Sequence, residues 1–311
     1  MAVKENVKVL GINDFCSTGG HLEFQKNCLN NNIYPLLNIE YLAFDQDLSD
    51  QNIRINDPVN AGRMYLVGKG LKNNLSGRYS SIFFELRNAQ KELAKKIILK
   101  VNEFFDSKGE KNKIDYEEIQ LKIAKDFIGE RHIAKAIKDN FNVGTMTETE
   151  IRNKFLKKNG IAYIKEPSDI FLNIFDCIEM IRNAGGVPCY PVLFDNKNGE
   201  FTEYEKDLNQ LYKNLKKLDI KHLDIFPDRN NINNVYRIVS FFKQKGFHIL
   251  FGTEHNTEEI KPITVKTQNK EKLENTIIST AYDGCCSIAS HQNGGNLDDI
   301  RYGNEIIKSY I

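Results

Sequence analysis

The sequence predicts an α/β protein, a parallel sheet with helices outside it, interrupted by an all-α block. Three observations point there. Short β-branched apolar runs recur at Val7–Ile12, Ile33–Phe44, Met64–Gly68, from Val187, at Leu223–Phe226 and at His248–Phe251. Most of these runs are separated by segments with helical spacing, the rhythm of strand-helix-strand units. From Glu85 to Asn159 the rhythm stops, and apolar residues recur only at three-to-four spacing.

The first unit is the one around which the chain is organised. Its strand ends at Asn13-Asp14-Phe15, Gly19-Gly20 breaks the chain, and Leu22, Phe24, Cys28 and Leu29 then recur at helical spacing. Asn30-Asn31-Asn32 ends that helix, and the second strand carries one acid, Glu40. This places Asp14 and Glu40 toward the carboxyl ends of their strands, where α/β folds keep their chemistry. Asp45 to Arg63 is polar, is punctuated by Asp57-Pro58 and Gly62, and reads as a loop. Lys69-Gly70-Leu71-Lys72-Asn73-Asn74 reads as a solvated turn or a phosphate-contacting one.

In the helical block, Leu86, Ala89, Leu93, Ile97, Val101 and Phe104 form one stripe. Ile119, Ile123 and Phe127 form a second, and Ile133, Ile137 and Phe141 a third. Thr147 and Glu150 make a capping box for a fourth helix. Pro167-Ser168 starts a helix that buries Ile170, Ile174, Ile178 and Ile181, after which helices are expected over Tyr204–Lys217 and Ile232–Lys245. A polar helical tail follows Lys270. The division expected is an α/β unit over residues 1–84 and 160–260, a helical insertion over 85–159 and a helical extension over 261–311.

Composition narrows the function classes. Lys+Arg 43 against Asp+Glu 42 leaves a net charge of +1, so no basic field argues for nucleic acid. No stretch is apolar enough for a signal peptide or membrane span, and a cytoplasmic protein is expected. Cys16, Cys28, Cys177, Cys189, Cys285 and Cys286 lack paired metal or disulfide spacing and read as reduced thiols. No P-loop and no serine or cysteine nucleophile context is present.

The motifs resemble those of the PHP (polymerase and histidinol phosphatase) superfamily of metal-dependent phosphoesterases, in particular its nucleoside-bisphosphate phosphatase branch. Asn13-Asp14-Phe15 is similar to its T-D-H and Asn38-Ile39-Glu40 to its G-I-E. Glu130-Arg131-His132-Ile133-Ala134 is similar to R-x-H-x-A, and Phe155-Leu156 through Ala162-Tyr163-Ile164 to the segment around Y-V-P. Ala184 to Pro191 is similar to A-G-G-V-A-x-A-H-P, and Gly252-Thr253-Glu254-His255 to G-S-D-x-H. The likeness runs over most of residues 4 to 256. It implies a distorted (β/α) barrel, incomplete at the N-terminus, with the all-α insertion hanging over the active site. In this comparison Met1–Asn6 matches the last turn of a first helix, and the preceding H-x-H strand has no counterpart, an open edge that another chain could complete.

The resemblance also implies a cluster of divalent ions (Mn, Mg, Zn or Fe) and hydrolysis of a phosphate ester of nucleotide type. The ligand set departs from it. Phe15 stands at the T-D-H histidine, Tyr65 at the histidine after G-I-E and Tyr190 at the A-H-P histidine. A phenyl ring offers no lone pair, and a phenol near pKa 10 replaces imidazole poorly. What remains is Asp14, Glu40 and His255 as catalytic candidates and Asp14, Glu40, Glu254 and His255 as ligands of a weak or absent metal site. Arg131 and His132 are the candidate phosphate contacts, arginine because it binds phosphate in a bidentate way. Three functions follow: a weakened phosphoesterase, a non-catalytic binder of a phosphorylated small molecule, or a subunit whose sheet is completed by a partner chain. Asp14, Glu40, Tyr65, Tyr190 and His255 are expected in one pocket, with Tyr65 or Tyr190 hydrogen-bonded to Asp14, Glu40 or Glu254.

Overall fold

The computed structural model describes residues 1–123, 128–166, 170–194, 200–253, 255 and 261–311. Its centre is one curled six-stranded sheet in which strand order follows chain order: β1 (Val9–Phe15), β2 (Tyr34–Phe44), β3 (Arg63–Lys69), β4 (Val187–Val192), β5 (His222–Ile225) and β6 (His248–Phe251). All are parallel except β3, which runs antiparallel to β2 and β4. The six apolar runs of the sequence thus become the six strands.

Side chains alternate between two covered faces. Toward one face point Ile39, Tyr41, Met64, Leu66, Tyr190, Val192, Leu223, Ile225 and Ile249. They pack against α7 (Ile174–Asn183), α8 (Leu208–Lys217) and α9 (Ile232–Gln244). Toward the other point Tyr34, Leu36, Val67, Cys189 and Leu250. These meet α10 (Asn275–Gln292) and α11 (Ile300–Ser309) through Cys286, Ile288, Ala289 and Ile307. The C-terminal tail, expected to be polar, is therefore a packed layer on the sheet. α10 crosses β6 so closely that any side chain at Gly284 would strike the Ile249 carbonyl.

Helix starts obey local chemistry. Asp45, Asp115, Asn173, Asp207, Asn231 and Asp299 cap α2 (Gln46–Asp50), α4 (Tyr116–Leu121), α7, α8, α9 and α11 with their side-chain oxygens. The helix expected to begin at Pro167-Ser168 begins at Ile174, and its expected start lies outside the described residues, as does Phe127. Residues 45–63, read as a loop, contain α2.

The helices between β3 and α7 have a core of their own. They are α3 (Arg78–Asp106), α4, α5 (Glu130–Asn140) and α6 (Glu148–Ile151), with Arg152–Leu156 continuing as π-helix. Phe105 stacks on Phe141 with centroids 3.9 Å apart and on Phe155 at 5.5 Å. The Thr147–Glu150 capping box forms, with Glu150 N–H donating to Thr147 Oγ1 (3.2 Å) and Thr147 N–H to Glu150 Oε2 (2.7 Å).

Candidate functional site

Register sorts the candidate residues. Phe15 is level with Glu40 and Asp14 with Ile39, so Asp14 and Glu40 leave the sheet toward opposite faces. Asp14 lies on the side of α1 (His21–Leu29), its Oδ2 beside Gly20. His21 is half-buried there and makes a 2.9 Å bond between Nε2 and the Asn38 carbonyl oxygen. Burial pulls the His21 pKa below its ordinary value, against the opposing pull of that bond and of Asp14. Phe15 is half-buried against the core that packs on α7, α8 and α9.

Glu40 shares its face with Tyr65, two places along the neighbouring strand. Burial, then the charges of Asp57 and Glu40, push the Tyr65 phenol well above its usual range, so it stays protonated. Asn56, in the stretch read as loop, is buried and holds Tyr65 in place. Its Nδ2 donates to the carbonyls of Tyr65 (3.0 Å) and Pro191 (2.9 Å), and its Oδ1 accepts from Tyr65 N–H (2.7 Å).

Tyr190 is elsewhere. It is level with Leu223, on the face covered by α7 to α9, and fully buried. Its hydroxyl donates to Glu205 Oε1 (2.9 Å), a residue the sequence reading did not single out, in place of the acceptors expected for it. Glu205 also accepts from the backbone N–H groups of Leu193 (3.0 Å) and Phe194 (2.6 Å). Burial raises its carboxyl to about 7 despite these donors.

His255 lies beyond the end of β6, its Nε2 3.1 Å from Thr253 Oγ1. Its backbone oxygen accepts from Arg131 Nη1 at 3.3 Å, so the start of α5 reaches the strand end. His132 caps the same helix, its Nδ1 accepting the Gly129 N–H at 3.0 Å. Glu254 lies outside the described residues.

The largest departure from expectation is Lys69. It is buried and forms a 2.6 Å ion pair with Asp224 Oδ2, with 8% and 3% of the two side chains accessible. Alternation puts Lys69 on the face of Glu40, Tyr65 and Val67. Burial alone would lower the ammonium pKa, but Asp224 more than reverses this and the net shift is upward. The rest of the turn read as solvated or phosphate-contacting is also committed. Leu71 N–H donates to Leu37 O (2.8 Å), and the N–H groups of Lys72 and Asn73 both donate to Ala184 O (3.1 and 3.0 Å). His222 and His248 stack at 4.7 Å, and His248 Nε2 lies 3.2 Å from Asp298 Oδ1.

A multi-ion cluster requires several lone pairs converging on one point. Here Phe15 offers none, Tyr65 keeps its proton, Tyr190 bonds Glu205 on the far face and an ammonium stands on the face of Glu40. Among the described residues no three His, Cys, Asp or Glu side chains are grouped to hold a metal ion. The described residues therefore do not fit such a cluster.

Comparison places the fold. A crystal structure of a protein provisionally described as a metal-dependent phosphoesterase, from Bifidobacterium adolescentis, superposes with a TM-score of 0.63 at 16% identity, covering 91% of this chain and 88% of that one. An amidohydrolase from Chromobacterium violaceum, solved with sulfate and no metal, gives 0.55 at 14% identity, covering 90% and 88%. The chain shares the fold of these two proteins. At such identities the likeness is one of architecture. No protein-family model and no curated protein matches the chain by sequence. Among the described residues no helix is long and apolar enough to cross a membrane.

Proposed function

We propose that this chain is a phosphoesterase-like protein on the PHP plan whose metal-dependent hydrolysis of a phosphate ester has been weakened or lost. The observation that carries the reading is the Lys69–Asp224 pair. On the face of Glu40, where ions would need anionic and imidazole donors, a lysine already neutralises a carboxylate in a site closed to water. The nucleotide-type substrate rests on the motif resemblance, and the likeness to the B. adolescentis protein supports the hydrolase ancestry of the fold. A non-catalytic binder of a phosphorylated small molecule is the second reading. It is favoured by the Arg131 guanidinium at the end of β6.

The test is elemental analysis of purified protein together with Mn²⁺-supplemented assays on nucleoside mono- and bisphosphates. The reading expects no stoichiometric Mn, Fe or Zn and turnover absent or far below about 1 s⁻¹. Mn²⁺-dependent turnover at the ordinary enzymatic rate of about 1 s⁻¹ or more that Glu40→Gln abolishes would overturn it. For the second reading, calorimetry should find nucleotide binding that Arg131→Ala weakens about tenfold or more, the worth of a charged hydrogen bond.

A further inference from the structure

We propose that two copies of this chain associate through β1, the outer edge of one strand pairing antiparallel with the same edge of the other about a two-fold axis at Gly11. β1 ends the sheet and has β2 on one side only among the described strands. The bonds at its two ends set the phase of the ladder. Tyr34 N–H donates to Lys8 O (2.9 Å) and Cys16 N–H to Glu40 O (2.8 Å). Alternate residues of a parallel ladder turn both backbone groups to the same neighbour, so the even residues from Lys8 to Cys16 face β2. The backbone groups of Val9, Gly11 and Asn13 then point outward, and Gly11 and Asn13 are exposed. No proline, bulge or lysine within Val9–Phe15 blunts this edge, whereas β6, at the other end of the sheet, is crossed by α10.

Complementarity names the occupant as a second copy. Antiparallel bonding requires outward-facing residues to oppose one another, so odd residues must meet odd residues. Centring on Gly11 sets Val9 against Asn13 and Val7 against Phe15. The even residues then form the close pairs Leu10 with Ile12 and Lys8 with Asp14, each occurring twice. Lys8 is exposed, and Leu10, Ile12 and Asp14 are half-buried. The neighbouring allowed registers fail this match. Centring on Ile12 sets Leu10 against Asp14, and centring on Leu10 sets Lys8 against Ile12. One register therefore pairs apolar with apolar and cation with anion.

The test is sedimentation of the full chain with four variants. Wild type is expected to be dimeric. Asn13→Pro removes an outward N–H and no bond to β2, and should give a folded monomer. Lys8→Asp and Asp14→Lys each turn two attractive pairs into repulsive ones and should weaken self-association about tenfold or more. Mixed together, these two single variants should heterodimerise, because each supplies the charge the other lacks, and the double variant Lys8→Asp/Asp14→Lys should dimerise again. A monomeric wild type overturns the proposal, including one whose Gly11 and Asn13 amides are protected from exchange because another segment of the chain covers the edge. So does a dimer indifferent to Asn13→Pro, or a mixture of Lys8→Asp and Asp14→Lys that stays monomeric.

Discussion

Removing either partner of the Lys69–Asp224 pair should strand the other charge in a place water does not reach. The two side chains keep 8% and 3% of their accessible surface, and Asp224 Oδ1 has no hydrogen-bond partner among the described residues. Asp224→Asn leaves the ammonium without its counter-charge, and Lys69→Met leaves a buried carboxylate with both oxygens unsatisfied. Each should cost about 3–5 kcal/mol of unfolding free energy. Replacing both together, as Lys69→Met/Asp224→Leu, removes both desolvation penalties and should cost no more than about 2 kcal/mol. The singles therefore sum to roughly 6–10 kcal/mol, well above the double, and the coupling is at least about 4 kcal/mol. Because the Lys69 pKa is raised, the pair's stabilisation is fully present below the ordinary lysine pKa and is lost only as pH rises through the raised one. Neutral pH is thus the right condition. The assay is urea unfolding followed by circular dichroism and tyrosine fluorescence, since the chain has 13 tyrosines and no tryptophan. Single variants that lose less than about 1 kcal/mol, or that add in the double, would refute the reasoning.

Two further outcomes test other parts of the fold. Glu205, raised to about 7 by burial, favours its protonated form in the native state, so its contribution is fully present below the ordinary glutamate pKa and is lost as pH rises toward 7. The stability of wild type relative to Glu205→Gln should fall over that interval, by up to about 3 kcal/mol, in denaturant melts at a series of pH values. A difference that stays flat with pH would show that Glu205 titrates normally. Gly284→Ala should push α10 off β6 and cost about 1–3 kcal/mol by thermal melting, because the added methyl meets the Ile249 carbonyl. An unchanged melting temperature would mean that the helix seats more loosely than described.

The sheet was legible in the sequence because each strand is a compact apolar run bounded by polar or glycine residues. The capping box at Thr147 was legible because its signature is local. The expected site fared differently, and for a physical reason. Whether Tyr190 faces Glu40 or Glu205 depends on strand register, and a shift of one residue reverses the face. Lys69 followed by Gly70 looks like a solvated turn until Asp224, 155 residues later, is placed against it. Glu205 and Asn56 carried no signal beyond being polar residues in polar stretches: Glu205 meets the Tyr190 hydroxyl and the backbone N–H groups of Leu193 and Phe194 just past β4, and Asn56 meets backbone groups of β3 and β4. The tail looked polar because α10 packs through Gly284, Cys286, Ser287, Ala289 and Ser290, small residues that bury well without reading as an apolar stripe.

The Gln292 side chain carries one more consequence, for the order in which the molecule is made. At the end of α10 it accepts a hydrogen bond from Leu37 N–H and donates one to the Pro35 carbonyl, closing contacts across 255 residues. While the chain is being synthesised, the sheet face bearing Lys69 and Asp224 therefore stays uncovered until α10 has left the ribosome. A nascent chain stalled before that helix would present apolar Val67 and Leu250 beside an ion pair still open to water. That intermediate is the species a chaperone would be expected to hold, and folding should complete only after release of the C-terminal helices.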